Sequence, residues 1–187
     1  MENEQCMNTL INCGLNKFFL TPCLRAQLEF LQYLISIWDE DQEKFVLWDQ
    51  ELELEVSNVY LITELSRRGA VPILTNTHPS MESMAMVIDK VCRGARKGTG
   101  NGKVDIQTVP DLALRVVLHT ITWVAGSQTS HEATKTQLLL ASECMNPNLF
   151  NWVEAVTINI KQKLAKCKKT KLKEFGYGSI PVSLFLE

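Results

Sequence analysis

The sequence lacks a long hydrophobic segment, a strong net charge and a recognisable targeting signal. Among its 187 residues, no apolar run approaches the roughly 18 residues that a membrane-spanning helix requires. The net charge of −2 gives the whole chain no attraction to nucleic acid or to an anionic membrane. Its acidic, polar start resembles neither a secretory signal nor an arginine-rich transit peptide. We therefore expect no membrane association.

The cysteines and histidines show no metal-binding arrangement. The sequence contains no Cys-x-x-Cys pair, and no histidine lies at zinc-ligand spacing from a cysteine. Isolated cysteines in a reducing compartment usually pack as small hydrophobic residues. We therefore expect buried thiols, an intracellular location, and no metal or cofactor. His119 lies inside an apolar segment and is expected to be a partly buried structural residue.

Catalytic motifs are also missing. Gly-x-Ser-x-Gly and His-Glu-x-x-His do not occur, and the carboxylates of Asp39 and Asp41 are best explained as exposed charges at a helix end. Residues 93–103, RGARKGTGNGK, resemble a phosphate-binding loop only superficially, because Lys97 stands where the motif needs glycine. We predict that the protein is not an enzyme. The stretch is interpreted as a basic loop, and phosphate or nucleic-acid contact is the alternative, through Arg93, Arg96, Lys97 and Lys103.

The hydrophobic periodicity predicts a mainly α-helical domain. Helical segments are expected after a Thr21-Pro22 start, at about 80–94, from Thr108 through 124, over 131–144, and from about 147 onwards. The segment 112–124 is apolar almost all round, which is typical of a central helix. Residues 1–20 are expected to be a tail or docking helix, and 21–187 a single helical domain. Residues 180–187 fit a short final strand, and the apolar end suggests a domain cut short.

A β-hairpin is predicted at about 45–56, and the other elements are expected to pack around it. Residues 51–56 alternate strictly between charged and apolar side chains, which is the period of a strand. A turn at Asp49 and Gln50 would place Leu47 opposite Leu52 and Phe45 opposite Leu54 on one apolar face. Val46 and Trp48 point to the other face, which we expect to be partly covered. An isolated hairpin is only marginally stable in water.

A helix is predicted directly after the hairpin. Ser57 is a suitable N-cap residue, and the apolar positions that follow have helical spacing. We expect the helix to bury Val59, Leu61, Ile62 and Leu65. The basic pair at 67–68 and Gly69 would end it.

The stretch 45–74 resembles the plant mobile domain, a family also labelled aminotransferase-like. The resemblance lies in an aromatic strand, a Leu-rich alternating strand, a helix ending in glycine and an extended Val-Pro. Asn58-Val59 corresponds to the family's Asp-Val, whereas Glu64 and Arg67-Arg68-Gly69 depart from its pattern. The resemblance implies a nuclear protein linked to transposable elements and gene silencing, acting through protein partners. The groups that a pyridoxal enzyme needs are not recognisable in the sequence.

Lysine is concentrated near the end of the chain. Seven lysines fall within thirteen residues, namely Lys161, Lys163, Lys166, Lys168, Lys169, Lys171 and Lys173. Such a patch suits binding to a phosphate backbone or nuclear import, and it also suits a solvated helix end. The first hypothesis is therefore a non-catalytic nuclear interaction domain, and the alternative is a nucleic-acid-binding remnant of a transposable element. The sequence does not indicate an oligomeric state.

Overall fold

The protein is mainly α-helical, as the sequence predicts, and has two small antiparallel sheets. The computed structural model describes residues 2–20, 28–74, 103–125, 131–145 and 150–169. The helices are α1 (Glu2–Cys13), α2 (Asn16–Leu20), α3 (Leu28–Ile37), α4 (Val56–Thr63), α5 (Leu112–Val124), α6 (Lys135–Cys144) and α7 (Trp152–Lys169). The strands are β1 (Trp38–Asp39), β2 (Lys44–Leu47), β3 (Gln50–Glu53), β4 (Val104–Asp105) and β5 (Glu132–Ala133). The predicted Thr21-Pro22 start, the helix at about 80–94 and the final strand lie outside the described residues.

The predicted hairpin is confirmed, but its register differs from the prediction. β2 and β3 pair with Phe45 opposite Leu52 and Leu47 opposite Gln50, so the turn is Trp48-Asp49. A shift of two residues preserves which side chains share a face. The outward face is less covered than predicted, because Trp48 is 89% exposed at the tip of the turn. The inward face is also incomplete, since Leu52 is half exposed.

A third strand joins the hairpin. β1 follows α3 directly and pairs antiparallel with β2, with Trp38 opposite Phe45. Their rings pack edge to face with centroids 4.9 Å apart, and both side chains are buried. The prediction that Asp39 and Asp41 are helix-end charges is wrong for Asp39, which lies in β1. Its Oδ1 accepts hydrogen bonds from the backbone of Asp41 and Gln42 and so forms the turn into β2.

Helix α4 begins and ends earlier than predicted. Glu55, not Ser57, is the N-cap, and the side chain of Asn58 accepts a hydrogen bond from its backbone N–H. The helix ends at Thr63, and Glu64 adopts the left-handed conformation at its C-terminus. Gly69 therefore lies beyond the helix, in a bend where its φ is +93°.

Only half of the apolar face predicted for α4 is buried. Val59 and Leu65 lie in the core, whereas Leu61 is 75% exposed and Ile62 is exposed as well. Within the helix the buried residues are Val59 and Thr63, four positions apart, and Leu61 and Ile62 lie away from that side. The extended segment that follows forms single bridges with the residues before α7, at Arg67 with Asn151 and at Ala70 with Phe150.

Helix α5 occupies the centre of the fold, as its apolar sequence predicts. Residues Val117, Leu118 and Ile121 are fully buried in the core. Its N-cap is Asp111 rather than Thr108, because the carboxylate of Asp111 accepts the backbone N–H of Leu114. Thr108 ends a 3-10 turn instead. His119 is half buried, in keeping with its expected structural role.

Helix α6 starts later than predicted, because residues 132–133 form a strand. β5 pairs with β4, and Thr134 then caps α6 through a reciprocal pair of hydrogen bonds with Gln137. Leu138 and Leu140 are buried as predicted, whereas Leu139 is half buried.

Helices α1 and α7 complete the core. Leu10 and Leu15 of the N-terminal region are buried with the rest of the core side chains. The predicted stripe of α7 is confirmed, since its apolar members in the described helix are all buried: Val153, Val156, Ile160 and Leu164. The rest of the surface of α7, beside this buried stripe, carries the lysines and forms one wall of the candidate site.

Candidate functional site

The lysines of α7 lie against neighbouring elements. Lys161 forms an ion pair with Glu43, with Nζ and Oε2 2.8 Å apart. Lys168 donates a hydrogen bond to the backbone carbonyl of Trp38. Lys163 donates to the carbonyl of Ala125 over 2.6 Å. Burial lowers the pKa of Lys163 to about 8. These three amines thus join α7 to β1, to the turn after it and to the C-terminal end of α5.

The other predicted contact residues are more dispersed. Lys103 forms an ion pair with Glu132 at 3.3 Å, on the two-stranded sheet. Lys166 is exposed on α7. Lys169 is the last residue of α7, and only its backbone is described. The remaining predicted residues lie outside the described part of the chain: Arg93, Arg96, Lys97, Lys171 and Lys173.

An open cleft of about 600 Å³ runs beside α7. One wall is the exposed side of α7 from Glu154 to Ala165. The other wall is built from the turn between β1 and β2 and from the chain between β3 and α4. The cleft therefore joins segments that are about a hundred residues apart in the sequence. We call it the acidic cleft, for the reason given next.

Five glutamates line the acidic cleft, against a single lysine. They are Glu40, Glu43, Glu53, Glu55 and Glu154, and the lysine is Lys161. Glu53 forms an ion pair with Lys44 at 3.1 Å, and Lys44 also contacts Glu51 at 3.0 Å. These hydrogen bonds raise the pKa of Lys44. The carboxylate of Glu55 accepts a hydrogen bond from Ser57.

The indole of Trp38 adds an unsatisfied donor to the cleft lining. Trp38 is 1% exposed, and its Nε1 has no hydrogen-bond partner in the part of the chain that the structure describes. A buried N–H without an acceptor costs free energy, about 1–3 kcal/mol for a neutral group. That nitrogen is buried beneath the surface of the cleft.

A second, smaller groove continues along α7. It measures about 210 Å³ and lies between the extended segment 71–74 and the middle of α7. Val71, Ile73 and Ile158 contribute exposed apolar surface to it. Ile158 and Gln162 line both the groove and the acidic cleft, so the two form one continuous depression.

The arrangement suits an extended ligand rather than a single ion. Within the described ranges, no three His, Cys, Asp or Glu side chains converge as metal ligands. The glutamates come from three separate segments of the chain, and the apolar residues Val56 and Ile158 line the cleft with them. Such a surface suits an extended ligand that has both positively charged and apolar groups.

Part of this site was predictable from the sequence. The alternation of residues 51–56 predicts a charged strand face, and Glu53 and Glu55 belong to it. The opposite wall was missed, because no local pattern distinguishes Glu154 or Ile158 from other residues on the surface of α7. The lysine cluster drew attention to the same helix but indicated a ligand of the opposite charge.

The chain was compared with protein-family models, with curated proteins and with solved structures, and none of them matches it. Of the helices in the described ranges, none combines the length and the apolar character that crossing a bilayer requires.

Proposed function

We propose that this protein is a non-catalytic interaction domain that binds a peptide segment of another protein along α7. The observation that carries the proposal is the composition of the depression. The stretch 45–74, which resembles the plant mobile domain, supplies residues 53–56 to one end and 71–74 to the other. The segment that carries the family resemblance is thus also the segment that forms the binding surface.

The exposed apolar residues support binding of a protein rather than of a small polar molecule. Val71, Ile73 and Ile158 are 44%, 55% and 41% exposed, respectively, along one depression. Contiguous apolar surface rimmed by polar groups is typical of protein interaction sites. An extended peptide fits a groove between a helix and an extended segment, because its backbone pairs with polar rims while alternate side chains enter the groove.

The cellular setting that we propose comes from the resemblance alone. A domain of the plant-mobile-domain type acts in the nucleus, in contexts linked to transposable elements and gene silencing. In that setting a non-catalytic domain would act by binding other proteins.

The test is selection of a random-peptide phage library on the immobilised protein. The probe variant is Ile158→Lys, which places a charge in the middle of the depression at a position that is already partly exposed. The matched control is Ile11→Lys on α1, a position that is 49% exposed and far along the chain from the depression. We expect selected peptides to bind wild-type protein and the control equally. Ile158→Lys should weaken their binding at least about tenfold, as loss of a central interface contact does.

Two results would overturn the proposal. One is a library that yields no peptide whose binding depends on Ile158. The other is that a fluorescein-labelled DNA duplex or RNA strand binds, and that Lys166→Glu with Lys168→Glu abolishes this binding. The second result would establish the alternative, a nucleic-acid-binding remnant. The contacts of Lys161, Lys163 and Lys168 within the fold argue against that alternative.

A further inference from the structure

We infer that the acidic cleft recognises a basic peptide segment, with arginine or lysine side chains as its main anchors. The inference rests on the proposed function and specifies the chemistry of the partner. Two observations carry it, namely the charge of the cleft and the apolar residues in its lining.

The charge of the cleft selects a cation. The lining carries five glutamates and one lysine, and Lys44 and Lys168 reach it from outside, so the glutamates still outnumber the lysines around the cleft. Clefts lined by one sign of charge concentrate the field and attract ligands of the opposite sign. The same charge repels phosphate backbones, so this face of α7 is a peptide site rather than a nucleic-acid site.

Two carboxylates of the lining remain partly exposed although each pairs with a lysine of the fold, Glu43 with Lys161 and Glu53 with Lys44. The side chains of Glu43 and Glu53 are 58% and 57% exposed. Glu53 shares Lys44 with Glu51, so an arginine that takes Glu53 leaves Lys44 with a partner. Arginine suits this exchange because its planar guanidinium binds a carboxylate through two parallel hydrogen bonds.

Apolar residues of the lining accept the remainder of such a side chain. Ile158 is 41% exposed and Val56 is half buried, and both line the cleft together with the glutamates. The methylene groups of arginine and lysine pack on apolar surface while their charged ends reach carboxylates. The lining therefore offers a long basic side chain both apolar and charged contacts.

The test measures fluorescence anisotropy of a labelled octapeptide of four Gly-Arg repeats. The matched ligand is the same peptide with citrulline, a neutral isostere, at each arginine position. The probe variant is Glu53→Gln with Glu154→Gln. The matched control, Glu29→Gln with Glu143→Gln, removes two exposed charges from residues outside the cleft lining. Each lost charge pair of this kind is worth a few-fold in affinity, so we expect roughly tenfold weaker binding for the probe variant. The control should bind within about twofold of the wild type.

The outcomes separate this inference from the proposed function. Equal binding of the citrulline peptide, or equal losses in the probe and control variants, would overturn the basic-peptide inference. The proposed function would then still stand if phage selection yields peptides without basic residues whose binding depends on Ile158. Failure of the phage selection itself would remove the proposed function.

Discussion

The indole Nε1 of Trp152 donates a hydrogen bond of 2.5 Å to the backbone carbonyl of Cys13, 139 residues away in the sequence. Trp152 is the first residue of α7, and Cys13 is the last residue of α1. Both are fully buried, and the ring of Trp152 also packs edge to face on Phe150 at 5.6 Å. This contact joins the N-terminal helix to the helix that carries the candidate site.

Trp152→Phe is expected to destabilise the fold. Phenylalanine keeps an aromatic ring but leaves the buried Cys13 carbonyl without this donor, which costs about 1–3 kcal/mol. Urea unfolding, followed by circular dichroism, measures the free energy of unfolding. The matched control is Trp123→Phe, because Trp123 is 39% exposed on α5, and its loss should cost less than about 0.5 kcal/mol. Equal midpoints for the two variants would show that the hydrogen bond is unimportant.

Gly14→Ala is expected to destabilise the fold by about 1–3 kcal/mol, because two costs add at this position. Gly14 has a φ of +77°, which side chains rarely adopt, and an added Cβ would lie 2.6 Å from the Cβ of Ser66. Ser66→Gly removes the steric part alone. A double-mutant cycle with urea unfolding should show partial rescue, of roughly half the cost. If the effects of the two substitutions on the free energy of unfolding simply add, the close approach of Gly14 to Ser66 is contradicted.

Lys163 should make stability rise with pH between about 8 and 10.5. Burial lowers its pKa from 10.5 to about 8 in the folded state, so the unfolded chain binds more protons in this window. Below the window the lysine is charged in both states, and the cost of burying the charge is fully present. Above it the lysine is neutral in both states, and the cost is gone.

Lys163→Met isolates this effect. The free energy of unfolding of the wild type should gain roughly 1–3 kcal/mol over the variant as the pH rises from 7.5 to 10. The Ala125 carbonyl keeps a hydrogen bond from Asn159 in the variant, so the helix end is not left without a donor. Parallel pH profiles for the two proteins would refute the shifted pKa.

Trp48→Gly is expected to stabilise the hairpin. Trp48 has a φ of +53° in the two-residue turn, and its side chain is 89% exposed. An aromatic residue in this conformation is strained, whereas glycine adopts it freely. We expect a gain of roughly 0.5–1 kcal/mol in urea unfolding. Trp48→Ala is the control, because it removes the ring and keeps the strained Cβ, and it should gain less.

The helices were predictable where burial follows a local period. The stripe from Val153 to Leu164 and the apolar segment 112–124 are buried as predicted, because a helix that lies against a core must repeat its apolar residues. Helix ends were less predictable. Glu55 and Asp111 replaced the expected caps, since several neighbouring residues had side chains capable of capping.

The register of the hairpin was not predictable from the sequences of β2 and β3 alone. Both registers place the same side chains on one face, and the turn has no Asn-Gly pair to select between them. The observed register has Phe45 opposite both Trp38 and Leu52. The third strand, β1, was hidden from sequence analysis because it has only two residues and Trp38 also fits the apolar spacing of the preceding helix, α3.

The sequence alone determined the fold class, the central helices and the charged face of the hairpin, because these depend on spacing between near neighbours. Tertiary structure decided which charges remain available. The carbonyls of Trp38 and Ala125 and the carboxylate of Glu43 come from distant segments, and they turn three lysines of the cluster into internal contacts. Glu154 meets Glu53 and Glu55 only once α7 packs beside the hairpin. The sign of the field at a surface depends on charges brought together from the whole chain, and chain folding alone sets those distances.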